Sequence, residues 1–351
     1  MPKSLLVVKR TNVARARYPA IDFHFHGGRL KSPDDYRKMI ATMDAAGVGA
    51  VMNMDGGLFD ALARNLDVGA PFRDRIVHFA RPVWNGINDS GWSERTAAGL
   101  EQAFKTGAQG LKINKALGLD LKNPDGTYIF SDDPRLDPIW AMCGRYDKPV
   151  MIHVSDPIAR WHPIGPENER YEAGLWRSDP SGNYYGTGQP HYTEIWKHQE
   201  AMLAKHPKTR FVLAHVANMP EDLQRAADLL DRHPNADVEI SARIQDLGRQ
   251  PYSARKWLIK YQDRVLFGTD GGPGRDPEQF WTPHWRFLET DDEHFDHPAQ
   301  MLSPLGAPLQ GRWRIYGVFL PDEVLRKIYY GNALKYLPSV RESIKRQLAT
   351  G

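Results

Sequence analysis

The strongest constraint on how this chain can fold is a repeated order of segments. Eight short apolar or β-branched runs, "YPAIDFHFH", "VGAVMNMD", "RIVHFARPV", "GAQGLKINK", "KPVMIHVSD", "TRFVLAHVAN", "ADVEISAR" and "DRVLFGTDGG", alternate with amphipathic stretches that carry helix punctuation. After the first run, Ser32 precedes Pro33 and two acids, which predicts a capped helix that Gly47 ends. Residues 134–146 read as a second such helix, and "PEDLQRAADLLDRHP" as another, with Pro220 and acids at its start and His233 with Pro234 at its end. Strand followed by helix, about eight times over, predicts a parallel sheet closed into a (β/α)8 TIM barrel, read as one domain over residues 1–351. The rival is a doubly wound open sheet. It would carry a glycine-rich dinucleotide turn after the first strand, and "HFHGGRLKSP" lacks the G-x-G-x-x-G spacing.

Two connections are longer than a barrel needs. Residues 155–192, after the fifth run, are dense in Gly, Pro, Trp and Tyr, and residues 271–316, after the eighth, are also rich in aromatic residues. Long connections rich in aromatic residues are functional more often than disordered. Both follow strands, so a barrel places both on its C-terminal face, where the active sites of this fold are built.

Composition removes several classes of partner. A net charge of +3 is too small and too dispersed to predict nucleic acid or a membrane surface. The single cysteine, Cys143, falls in an apolar helical pattern, which excludes an intrachain disulfide and a Cys-based zinc finger. The opening "MPKSLLVVKR" is too short an apolar run for a signal peptide, so the expectation is a cytoplasmic protein, unless a presequence is missing from this sequence.

Chemistry concentrates at the ends of the runs. Alternation puts His24 and His26 on one side of the first strand, with Phe23 and Phe25 on the other side against the helices, and Gly27 and Gly28 let the backbone turn away. One H-x-H pair is weak grounds for a metal site. His153, His215 and Asp270 strengthen it, because each ends a hydrophobic strand where a core residue would be easier to bury. Barrel strand ends converge on one mouth, so the four strands point to a shared site. In the fourth strand Lys112 and Asn114 share a face; Lys112 pairs with Asp270 or Asp55 if that face is inward, and Lys115 could serve a substrate anion. Arg243, Arg81 with Trp84, and Asn53 end other strands; arginines there suit a substrate carboxylate, and equally salt bridges at the surface. Arg160, Trp161 and His162 in the fifth connection suit an aromatic or sugar-like ligand, or packing against a second subunit. The remaining histidines, including His206, His233, His284, His294 and His297, read as solvated.

H-x-H on the first strand, histidines on the fifth and sixth, and aspartate on the eighth resemble the amidohydrolase superfamily, more narrowly the amidohydrolase-related (amidohydrolase 2) family. "YQDRVLFGTDGG", "FVLAHVAN" and "IYYGNALKYL" are similar to that family's phrasing, and the resemblance spans residues 18–337. It implies a mononuclear divalent metal, zinc first and manganese second, held by His24, His26, His153 and Asp270. It also implies that Asp270 moves protons while His215 acts as acid or electrophile. The reaction implied is hydrolysis of an amide, ester or lactone of a small carboxylated, aromatic or sugar-like substrate. Non-oxidative decarboxylation is the family's second chemistry, and a catalytically silent ligand-binding barrel is the third reading. In the decarboxylases a glutamate often follows the sixth-strand histidine by three residues, and here that position is Asn218. Binuclear relatives carry a carboxylated bridging lysine on the fourth strand, the role open to Lys112. Family habit and the aromatic loops together suggest a homodimer.

Overall fold

The computed structural model describes residues 4–170, 182–274, 276, 280–297, 311 and 313–350. The elements follow the predicted order: β1 (Ala20–Phe25), α1 (Pro33–Ala46), β2 (Val48–Asn53), α2 (Asp60–Gly69), β3 (Ile76–His78), α3 (Trp92–Thr106), β4 (Leu111–Ile113) and α4 (Asp137–Arg145). They continue with β5 (Val150–Ile152), α5 (Tyr192–Lys205), β6 (Phe211–Leu213), α6 (Leu223–Arg232), β7 (Ala236–Glu239), α7 (Pro251–Lys260) and β8 (Val265–Leu266). α1 starts where its cap signals say it should. The Ser32 hydroxyl accepts from the Asp35 amide, the Asp35 carboxylate accepts from the Ser32 amide, and Gly47 ends the helix at φ 78°. α6 starts later than its sequence suggests, because its cap is Asp222, which accepts from the Arg225 amide, and Pro220 lies outside the helix.

Strands β1 to β3 pair in parallel, and so do β4 to β8. Two seams join these groups. The Ala80 amide donates to Gly110 and the Lys112 amide to Ala80, each at 2.8 Å. At the other seam Phe23 donates to Phe267, Asp270 to His24 and His26 to Gly271. The eight strands therefore run round a (β/α)8 barrel, with long loops after β5 and β8. The loop after β8 is less irregular than its composition suggests: it carries α8 (Thr282–Glu289), on which the otherwise "solvated" His284 is buried, as is His297 beyond it. No helix among the described residues is long and apolar enough to cross a membrane.

The predicted alternation along β1 fails at one place. Asp22 pairs with Val51 but Phe25 pairs with Asn53, so β1 carries one extra residue between them, a β-bulge. Phe23 consequently packs in the barrel interior, its ring 5.6 Å from Phe79 and 5.7 Å from Tyr336. Phe25 alone joins the outer layer, stacked on Trp281. His24 still turns inward, one residue after Phe23.

The interior below the site is apolar: Ile21, Ala50, Met52, Val77, Met151, Val212 and Leu266 fill it. Its floor comes from residues 333–344, where Ala333, Tyr336, Leu337, Val340 and Ile344 pack into the same cluster and the Tyr336 hydroxyl donates to Asp237 at 2.5 Å. A cluster of polar groups lies at the opposite end.

Candidate metal centre

His24 and His26 are each oriented by a carboxylate. His24 donates from Nδ1 to Glu239 Oε1 (3.0 Å), and His26 from Nδ1 to Asp55 Oδ1 (3.0 Å). A carboxylate can only accept, so each neutral ring carries its proton on Nδ1 and leaves the Nε2 lone pair free. Both Nε2 atoms face Asp270, at 3.5 Å and 3.1 Å from its Oδ1. These three residues offer ligand atoms within 4.8 Å of one another. Carboxylate-oriented imidazoles converging on a third carboxylate are the donor set of a divalent metal, and the residues fit one.

The charges tell the same story. Burial works against a charged His26, yet Asp270 and Asp55 raise it to about 9. Burial also opposes ionisation of Asp270, but His24, His26 and His215 hold it well below the usual carboxylate range. The site is thus anionic enough to favour a proton on the His26 imidazole. Lys112 answers the same demand. Its side chain is buried, its Nζ lies 3.1 Å from His24 Nε2, and burial lowers it to about 8. The sequence suggested Asp270 or Asp55 as its partner; the structure gives it the histidine lone pair that would ligate a metal.

Glu239, which sequence reasoning missed, anchors this arrangement. Besides His24 it accepts from the His215 amide (2.8 Å), the Ser241 hydroxyl (2.8 Å) and the Ser241 amide (2.5 Å). Burial opposes its charge, but His24 and these donors keep it below the ordinary glutamate range. Gly268 makes room for it: a Cβ there would lie 2.7 Å from Glu239 Oε2 and 3.1 Å from His24 Cβ. The signal was present in "ADVEISAR", a charged residue in an apolar strand, but Asp237, two residues before it, masked it. Asp22 was missed too. It accepts from the Thr269 amide and hydroxyl, the Trp281 indole and the His24 amide, so it clamps β1 to the start of the β8 loop.

His215 follows β6 in a conformation no alternation rule foresees. His215, Val216, Ala217 and Asn218 all have positive φ, between 55° and 59°, making one left-handed turn without a glycine. Such residues cost about 1 kcal/mol or more each and persist where surrounding structure enforces them, commonly at functional sites. Ala242 and Asp270, just beyond β7 and β8, share this geometry. The His215 Nδ1 donates to the Ser241 carbonyl (2.8 Å), so the neutral ring has its lone pair on Nε2. Burial pushes its pKa well down. The ring can therefore accept a proton at Nε2, and it acts as an acid only after doing so. His153 lies against it, ring centroids 4.4 Å apart. His153 donates from Nε2 to the Ser155 carbonyl (2.7 Å), which leaves Nδ1 as its free lone pair.

Other predicted residues are committed elsewhere. Asn53 accepts from the Gly27 and Asp55 amides (2.8 and 2.9 Å), which forces its NH2 group onto His78 Nδ1 (3.0 Å). His78 therefore carries its proton on Nε2, toward the Tyr36 hydroxyl (3.1 Å). Asn53 thus shapes the turn after His26 and the position of Asp55. Arg81 pairs with Asp55 (3.0 Å), and Trp84 stacks on Trp92. Lys115 pairs with Asp156 (2.5 Å), which also accepts from the Tyr184 hydroxyl (2.6 Å) and lies 3.8 Å from Arg160 Nε. Trp161 is buried and donates to the Pro190 carbonyl, while His162 is exposed. Asn218 and Arg243 differ from these. Both are buried, both Asn218 amide atoms lack partners, and so does Arg243 Nε.

Comparison with known proteins gives a family and a fold. The family model described as amidohydrolase matches residues 9–338. No curated protein matches the chain. Among solved structures, 2,6-dihydroxybenzoate decarboxylase from Rhizobium is similar at 17% identity and TM-score 0.53, over 92% of this chain and 99% of that one. A dihydroxybenzoic acid decarboxylase from a Polaromonas species, solved with bound manganese and the inhibitor 2-nitroresorcinol, is similar at 15% identity and TM-score 0.53, over 92% and 97%. At these identities the likeness is one of fold.

Proposed function

The chain belongs to the amidohydrolase family, and from that premise we propose that it is a metal-dependent hydrolase acting on an amide, ester or lactone of a small carboxylated substrate. The observation that carries this reading is the pair of histidines whose Nδ1 atoms are held by Glu239 and Asp55 while their Nε2 atoms converge on Asp270. His24, His26, His153 and Asp270 would hold one divalent cation, zinc by the donor set or manganese as in the Polaromonas relative. Such an ion supplies an acidified water and a polarised carbonyl.

The chain's own groups supply the proton traffic. Asp270, ionised and facing both Nε2 atoms, takes the proton of the attacking water and returns it to the leaving group. His215, protonated at Nε2 by solvent before the attack and steadied by the Ser241 carbonyl on its Nδ1–H, would face the developing oxyanion as an imidazolium and return that proton to solvent afterwards. Arg243 and Asn218 recognise the substrate, since Arg81 and Lys115 are already paired with acids. The Lys112 Nζ lies at the His24 lone pair, and a bridging role for it would require a second ion.

Decarboxylation on the same donors is the rival reading. It requires a group that protonates the carbon losing CO2, and Asn218 has no titratable proton to give. Metal-quantified protein assayed on carboxylated aromatic amides, esters and lactones should release protons and no CO2. Activity should vanish on chelation and return with zinc or manganese. CO2 release would establish the rival, and activity unchanged in the His24→Ala, His26→Ala double variant would end both.

A further inference from the structure

A buried relay of hydrogen bonds reaches the metal centre from the helix side of the barrel wall. It starts at Tyr36 of α1 and His78 at the end of β3, crosses to Asn53 at the end of β2, and ends at the turn after His26. Phe25, Asn53 and His78 are neighbours across β1, β2 and β3, just past the bulge in β1. Asn53 Oδ1 accepts from the amides of Gly27 and Asp55, so one oxygen holds the backbone on both sides of the His26–Asp55 hydrogen bond. The Asn53 NH2 group faces His78 Nδ1 at 3.0 Å. Burial lowers His78 to about 4, so the ring is neutral near pH 7 and keeps that lone pair for Asn53. Two glycines make room for the relay: a Cβ on Gly27 would lie 2.6 Å from Asn53 Cγ, and one on Gly69, at the end of α2, would lie 2.7 Å from His78 Nε2. The two halves of the donor set are held differently. Glu239, which orients His24, is fully buried, whereas the Asp55 carboxylate, which orients His26, is 20% exposed beside Arg81, itself 37% exposed. Asp55 therefore takes its place from the backbone that Asn53 fixes.

We propose that His78 is a positioning residue for the His26 half of the metal centre, acting through Asn53 from outside the donor set. The inference rests on the reading of His24, His26 and Asp270 as metal donors. A side chain that offers Asn53 no lone pair leaves its NH2 group a buried donor without an acceptor, a loss that favours any conformation turning the carboxamide out. The Gly27 and Asp55 amides then lose their shared acceptor, and the His26 ring loses the carboxylate position that aims its Nε2 at Asp270.

Two carboxamide variants separate positioning from packing. His78→Asn returns an oxygen to the place of Nδ1, whereas His78→Gln reaches only toward Tyr36 and sets a methylene before Asn53. Competition for zinc between the full chain and a chelating dye should show about tenfold weaker binding in His78→Gln. Most of that loss should be recovered in His78→Asn, although its smaller side chain leaves the larger void. Asn53→Leu should weaken zinc as well, and the double variant Asn53→Leu, His78→Gln should bind no more weakly than Asn53→Leu alone, because the two residues act in series. Wild-type zinc affinity in His78→Gln, equal loss in both His78 variants, or losses that multiply in the double variant would each overturn the proposal. If His78→Gln does not fold, Tyr36→Phe, which frees the His78 proton from Nε2, takes its place. If the wild-type chain binds no zinc, the metal reading fails, and amide hydrogen exchange at Gly27 and Asp55 decides the positioning role. Exchange there should be about tenfold faster in His78→Gln than in His78→Asn, and equal rates would refute it.

Discussion

Glu239→Gln isolates the orientation of His24 from its presence. The carboxylate accepts four hydrogen bonds: from His24, the His215 amide and the Ser241 hydroxyl on Oε1, and from the Ser241 amide on Oε2. A carboxamide has one accepting oxygen. The least costly placement keeps that oxygen toward the three donors at Oε1 and sets the NH2 against the Ser241 amide. The Ser241 amide and the new NH2 group are then both buried donors without an acceptor, at about 2 kcal/mol together. For 351 residues, an unfolding entropy of about 2.1 cal/mol/K per residue makes each kcal/mol worth about 1.4 °C, so the melting temperature should fall by about 3 °C. Metal affinity should fall more noticeably, by about 10- to 100-fold, because the anion that fixes His24 with its lone pair on Nε2 has become neutral. Differential scanning fluorimetry reads the first effect and competition with a chelating dye the second. A variant that melts about 3 °C lower yet binds metal as tightly as wild type would show that the Glu239 charge does not orient His24.

Three further perturbations test neighbouring parts of the structure. Gly268→Ala should cost about 1–3 kcal/mol in urea unfolding and weaken metal binding together, because its Cβ would press on Glu239 and His24 at once. Burial lowers His78 to about 4 from its ordinary 6.5, so below pH 6.5 the unfolded chain binds a proton the folded one refuses, and stability falls as pH drops toward 4. The slope from this group is about 1.4 kcal/mol per pH unit, and His78→Gln should flatten the urea-derived stability profile by that amount between pH 6 and 4.5. Asp156→Ala removes the acceptor shared by Lys115 and Tyr184, and should destabilise the chain by about 2 kcal/mol and speed limited proteolysis within residues 157–170; an unchanged digestion pattern would mean the loop is held by its apolar contacts alone.

What could be read in advance follows from which interactions are local. The strand and helix order, the Ser32 cap and the strand-end positions of His24, His26, His153, His215 and Asp270 depend on periodicity and nearby residues, and these are written in the letters. The bulge between Asp22 and Phe25 is not, because it is set by how β1 registers on β2. Phe23 therefore faces the interior against the alternation rule. Asn53 looked like a mouth residue, but its three partners come from three separate strand ends. Glu239 shares a face with Asp237, and only the folded barrel shows that one meets His24 above and the other Tyr336 below. The left-handed turn at residues 215–218 was hidden for another reason: Asn218 and His215 tolerate positive φ, but Val216 and Ala217 do not favour it, and tertiary contacts override their preference.

The floor of the barrel has a consequence for how the chain is made. Residues 333–344 seal the interior, with Tyr336 bound to Asp237 and Ile344 against Gly49, and they leave the ribosome only after all eight strands have been synthesised. Until then Ile21, Phe23, Met52 and Val212 face an unsealed cavity. A nascent chain stalled before Tyr336 would expose that surface to chaperones and aggregation, so the closing step of biogenesis takes place at the end of the barrel away from the chemistry.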